Sequence, residues 1–343
     1  MQKKRGVAWL FFIVFCGITS ARGPWTRTFY FFNDACEKND TELIFAKRAE
    51  HAFTQLLISW HAHNQTQGYF RFYVEVFDEK TKIWSTYKTY EWGYRRQASF
   101  LHKDSHSSAA YVHVRFEGAS DRKYYTFRIK IEAVDGASIH DVDYIVVCAS
   151  DMKRFKPEAY ESAVKNIESS YIKNVPRRSQ YHENYPESNG WCSPASVAQL
   201  IEFYNKVSID LPTFAHTVYD RGLNVYGSWP FNTAQAALHL PNHLCYVTRL
   251  KSIQDLSRLL VNGHPVILSI CCSMPLTGAP KAYDQGHLIT VIGIEKEKRR
   301  IICHDTAEKD VTDMVKYYPM SEFMRAWENR QRLAYVIVPR RQL

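Results

Sequence analysis

From residue 25 to residue 148 the chain alternates apolar and polar positions in short runs rich in aromatic and β-branched side chains. In residues 69–77, Phe70, Phe72, Val74 and Val76 fall on one face, the two-residue period of a sheet buried on one side. Residues 55–60, 111–116 and 124–131 read as further strands. Asp78-Glu79-Lys80-Thr81-Lys82 supplies a polar turn before Ile83-Trp84. Repeated strands between turn signals, with no convincing helix, predict a jelly-roll-like all-β sandwich over residues 22–150.

After residue 150 the pattern changes. Residues 151–171 are polar and read as a linker, with a helix expected over 157–169 and a break at Val175-Pro176. Beyond it the period lengthens. Residues 193–205 predict a helix, with Pro194 in its first turn and Val197, Ile201 and Tyr204 on one face. Residues 252–260 predict another, with Ser252 and Asp255 in capping-box positions and Gly263 as its stop. Strands are expected over 265–271, 287–295, 299–304 and 333–338, and a helix over 321–327. This is an α+β pattern, so the chain reads as two domains, and no internal repeat is visible.

Composition supports a folded chain of that size: 343 residues, 45% hydrophobic, with 14 Gly and 13 Pro. The formal charge of +9 invites a nucleic-acid reading until it is partitioned. Residues 1–21 hold +3; residues 22–150 carry 17 basic and 16 acidic groups, and residues 151–343 carry 24 and 19. No basic cluster interleaved with aromatics remains, so nucleic acid is not an expected partner. Lys3-Lys4-Arg5, an apolar run over 7–18 and Thr19-Ser20-Ala21 have the parts of a cleaved secretory signal. Cleavage is expected after Ala21, and the run is too short for a helix spanning a bilayer. Acylation of Cys16 as a lipoprotein is the less favoured alternative, because Phe15 precedes it.

Removal of Cys16 leaves seven of eight cysteines, an odd number for an exported protein, so at least one thiol should be free. Cys36 and Cys148, near the two ends of the sandwich, either pair or stay as buried thiols. No Cys-x-x-C occurs, which argues against a structural metal site. His61-Ala62-His63 puts two imidazoles on one strand face without a third ligand. Asn39-Asp40-Thr41 and Asn64-Gln65-Thr66 fit a glycosylation pattern that matters only in a eukaryotic route. Trp84, Tyr87, Tyr90 and Trp92 either stack on a glycan or pack in the core.

The chemistry concentrates in the second half. Cys192, in Gly190-Trp191-Cys192-Ser193-Pro194, lies where a turn becomes a helix, so unpaired N–H groups and the positive helix end favour thiolate and can receive an oxyanion. His287 begins an apolar strand behind Gly286, and Asp305 ends the next one. With the turn centred near residue 296, position 287 is expected opposite roughly 305, close enough for the carboxylate to orient the imidazole. Gln180 offers an amide donor for an oxyanion hole. His304 would point to the opposite face from Asp305.

Gln180, Trp191-Cys192-Ser193-Pro194, Gly263-His264-Pro265-Val266-Ile267, Gly286-His287-Leu288-Ile289, His304-Asp305, Tyr317, Phe323 and Trp327 resemble the C39-like cysteine peptidases of the papain-like superfamily, in bacterial secreted form. The resemblance covers roughly residues 172–338, departing where His304-Asp305-Thr306-Ala307 replaces the usual Asn-Asp-Pro-Ala. It implies a papain-like α+β domain over 172–343 and a hydrolase acting without a cofactor or metal on a peptide or protein, cell-wall peptide included. In it Cys192 is nucleophile, His287 base, Asp305 orienting acid and Gln180 an oxyanion donor. The first domain is similar to sandwiches preceding such peptidases, through Ser59-Trp60, Trp84-Ser85 and Trp92, and a glycan contact by this domain stays open. Acyl transfer by the same groups, and an inactive exported glycan- or protein-binding protein, stay open as alternatives.

Overall fold

The computed structural model describes residues 24–63, 67–93, 96–104 and 109–342, so the expected signal segment, the Cys16 alternative and the Asn64 site lie outside the described residues. The first elements among the described residues are β1 (Thr26–Phe32), β2 (Glu37–Lys38), β3 (Glu42–Phe53), β4 (Gln55–Ala62), β5 (Tyr69–Asp78) and β6 (Ile83–Gly93). The chain continues through β7 (Arg96–Ser99), β8 (His102–Lys103), β9 (Ala110–Val112), β10 (Arg115–Glu117), β11 (Tyr124–Val134) and β12 (Val142–Ser150). These form two six-stranded sheets, ordered β1-β12-β4-β10-β9-β8 and β2-β3-β11-β5-β6-β7. Aromatic rings join them: Trp60 lies 4.5 Å from Phe72 and Phe31 lies 6.2 Å from Phe127. The alternation along β5 is as the sequence predicts, with Phe70, Phe72, Val74 and Val76 buried.

Tyr87, Tyr90 and Trp92 are buried among these rings, and Trp84 is half-buried with the Arg128 guanidinium over its face. Cys36 and Cys148 are both free thiols. They cannot meet, because Cys148 pairs with Thr28 in mid-strand while Cys36 lies beyond the far end of β1. Four residues of strand and more separate them, over about 13 Å. His61 gives Nδ1 to Asp143 at 2.8 Å, beside Arg340, and among the described residues no group of three or more potential ligands could hold a metal ion.

The second half comprises α1 (Tyr160–Lys165), β13 (Ser170–Tyr171), α2 (Cys192–Asn205), α3 (Leu211–Thr217), α4 (Trp229–His239), β14 (His243–Arg249) and α5 (Ile253–Val261). It closes with β15 (Val266–Cys272), β16 (Tyr283–Glu295), β17 (Arg300–His304), β18 (Val315–Pro319), α6 (Met320–Glu328) and β19 (Leu333–Pro339). One sheet runs β14-β19-β15-β16-β17-β18, with β13 also paired to β16. The segment expected as a linker is packed down rather than slack: Ala163, Val164 and Ile167 are buried, and Ser170 pairs with Ile294. The helix expected over 157–169 shrinks to α1, ended on both sides by residues outside helical geometry.

The two halves share a buried boundary. Every residue of β4 is buried, and α4 and β14 both pack on it. The backbone N–H groups of Cys245 and Val247 in β14 donate to Tyr144 Oη and Ser59 Oγ at 2.8 Å each. Phe231 of α4 stacks on Trp92 at 5.7 Å and meets Trp60 edge-on.

Candidate active site

Cys192 is the first residue of α2, and no side chain caps that helix. Its first-turn N–H groups are therefore left for the sulfur or for a bound anion. Pro194 fits the first turn, where its missing N–H costs no helical bond. Two contacts fix the helix end against the sheet: Ser193 Oγ lies 3.0 Å from Tyr335 Oη, and Ser196 Oγ donates to the Leu288 carbonyl at 3.3 Å. The thiol is half-buried.

His287 stands on β16 opposite Ile270, buried, with Nε2 2.8 Å from Asp305 Oδ1. With that nitrogen engaged, Nδ1 is the ring atom left for Cys192, whose thiol His287 holds down through its hydrogen bond and charge. The expected pairing of 287 with 305 is two residues off. Thr290 pairs with His304, after a register shift between Val291 and Gly293, so the next step puts Asp305 opposite Ile289. The contact nonetheless forms diagonally, because a two-residue offset keeps His287 on the same face. His304 points away, its buried Nδ1 without a partner among the described residues, and burial lowers its pKa to about 4.

The charges reinforce one another. Burial opposes ionisation of Cys192, but the hydrogen bond and charge of His287, with backbone bonds from Leu288 and Ser193, hold the thiol below its ordinary 9.0. Burial likewise opposes the imidazolium, yet Asp305 and Cys192 raise His287 to about 9. Asp305 resists its own desolvation because His287, Tyr283 and Tyr318 hold it well below the carboxylate range. Both shifts move the pair toward thiolate and imidazolium.

Gln180 is buried beside this group rather than solvated. Its Nε2 donates to the Asn189 carbonyl at 2.6 Å and its Oε1 accepts from Thr306 Oγ1 at 3.3 Å. It thereby ties the loop before Cys192 to the residue after Asp305. A primary amide keeps a second N–H for a ligand.

Two tyrosines escaped the sequence reading. Tyr283 Oη and Tyr318 Oη each donate to Asp305 Oδ2 at 2.6 Å, and Tyr283 stacks on the His287 ring at 4.2 Å. Tyr317, singled out from sequence, is exposed; its neighbour Tyr318 reaches Asp305 and stacks on Phe323. Adjacent strand residues face opposite ways, so a one-residue choice selects the wrong ring. Tyr283 is separated from His287 by a bulge that three-residue spacing does not announce.

Comparison with known proteins adds a limited likeness. No curated protein matches the chain. A putative C39-like peptidase from Bacillus anthracis is 17% identical, covering 50% of this chain and 98% of its own, with a TM-score of 0.39. Xylellain, a cysteine protease from Xylella fastidiosa, is 15% identical, covering 55% and 93%, with a TM-score of 0.33. Residues 172–335, the segment that contains Gln180, Cys192, His287 and Asp305, match the model of the Peptidase_C39 like family.

Proposed function

We propose that the chain is an exported cysteine peptidase that hydrolyses amide bonds through Cys192, His287 and Asp305. The observation that carries this reading is the unbroken run of partners from Asp305 through the His287 ring to a thiol at an uncapped helix start. The Cys192 thiolate attacks the carbonyl carbon, and the carbonyl π electrons move to oxygen. The Cys192 backbone N–H and the second Gln180 N–H receive that oxyanion. Collapse of the intermediate breaks the C–N bond as His287 gives its proton to the leaving amine. Water, deprotonated by the now neutral imidazole, then attacks the thioester and releases the acid and the thiolate. Asp305 stays ionised throughout and holds the ring.

The test is peptide hydrolysis by the protein without residues 1–21, compared with Cys192→Ala. Loss of turnover with unchanged thermal unfolding is expected. Equal turnover by the two proteins would overturn the assignment.

A further inference from the structure

Beside the candidate base lies a cation that has no counter-charge. Arg330, in the turn between α6 and β19, donates from Nη2 to the Gln285 carbonyl at 2.5 Å. Its Nε is sealed from solvent with no acceptor, and Nη1 takes none among the described residues. Arg178, Arg299 and Arg332 of the same half each meet a carboxylate, on Glu202, Glu161 and Glu328. Arg330 has no carboxylate within ion-pair distance among the described residues, and the adjacent Asp284 spends an oxygen on the Gln285 N–H. With Nε sealed and one Nη2 N–H spent on Gln285, Nη1 and the second Nη2 N–H are the donors left to receive a carboxylate.

Its position ties it to the reaction. Ile270 pairs with His287 and Cys272 with Tyr283, so Asp284, Gln285 and Gly286 bulge out against Cys271 alone. Gly286 has φ +97°, and a Cβ there would lie 2.0 Å from Arg330 Nη2. The guanidinium therefore rests directly on the residue preceding His287, possible only because that residue lacks a side chain. Since His287 protonates the departing amine, the chain that leads into it borders the leaving-group side of the scissile bond.

We infer that Arg330 binds a carboxylate on the leaving-group portion of the substrate, so that the preferred substrates are peptides with an acidic residue or a free C-terminus just after the cut. The inference rests on the peptidase reading above and names its substrate class. A peptide cleaved by the wild type, its cut located by mass spectrometry, is remade with Asp or Asn at each of the first two positions after the cut, and with a free or amidated C-terminus. The wild type should favour the carboxylate form at one of these positions by roughly ten- to hundredfold in kcat/KM, carried by KM. Arg330→Gln should erase that preference while leaving kcat/KM for the neutral peptide within about threefold, and Arg330→Lys should restore part of it. Cleavage by the wild type with no such preference, or an equal loss on both forms in Arg330→Gln, would overturn the inference and leave Arg330 as a support for the bulge. Absence of any cleavage would overturn the peptidase reading along with it.

Discussion

Asp305 accepts from His287 Nε2, Tyr283 Oη, Tyr318 Oη and the Ala307 backbone N–H, so a buried carboxylate has its charge met on every side. Each hydroxyl bond to a charged acceptor contributes about 1.5–3 kcal/mol. Tyr318→Phe keeps the stack on Phe323 and deletes one bond. It should lower kcat/KM about tenfold or more. The check is steady-state kinetics on the variant together with its pH profile; unchanged kinetics would remove Tyr318 from the positioning role. The same charges set a pH dependence of stability. His287 is raised from 6.5 to about 9, so its contribution is full below 6.5 and is lost as pH rises through 9. Asp305 is lowered, so its contribution is present at neutral pH and is lost only under strong acid.

At the scale of elements, the sequence made legible what depends on local signals. The helix start at Cys192 is legible because a turn and Pro194 adjoin it, and α5 because Ser252 accepts from the Asp255 N–H at 3.3 Å as a capping residue should. β15, β16, β17, α6 and β19 fall within a few residues of their expected bounds. In the second half five elements have no counterpart in the sequence reading: α3, α4, β13, β14 and β18. α4 illustrates why. Its Asn232 and Thr233 are buried and bond to the backbone carbonyls of Tyr226 and Trp229, so the helix is covered on faces that a polar pattern assigns to water. The bulges of β16 were invisible for a related reason: each is specified by what approaches from afar, Arg330 at Gly286 and Ser170 at Gly293.

Over the whole molecule, the two halves are joined through a shared core rather than strung on a tether. α4 inserts Phe231 among Trp60, Tyr90 and Trp92, and the loop after α3 fastens Asp220 to the Ser99 backbone N–H at 2.9 Å. Phe231→Ala should cost about 3–5 kcal/mol and shift one cooperative unfolding transition. Calorimetry that shows two transitions, only one of them moved, would contradict this joint core.

The thiols of the chain differ most in charge state, and there the central claim is most exposed. Burial pushes Cys36 up to about 11 and also raises Cys245, Cys272 and Cys303, whereas Cys192 is lowered. Hydrolysis should therefore fall above about pH 9, as His287 loses the proton the leaving amine needs, while the Cys192 thiolate persists. The most direct measurement is the rate of iodoacetamide modification at each cysteine against pH, resolved by peptide mass spectrometry. The account predicts that Cys192 reacts first at neutral pH, with a rate that changes little until the pH drops well below 9, and that His287→Ala abolishes this advantage. A Cys192 rate that climbs with pH like an ordinary thiol, or that lags behind Cys36, would contradict it.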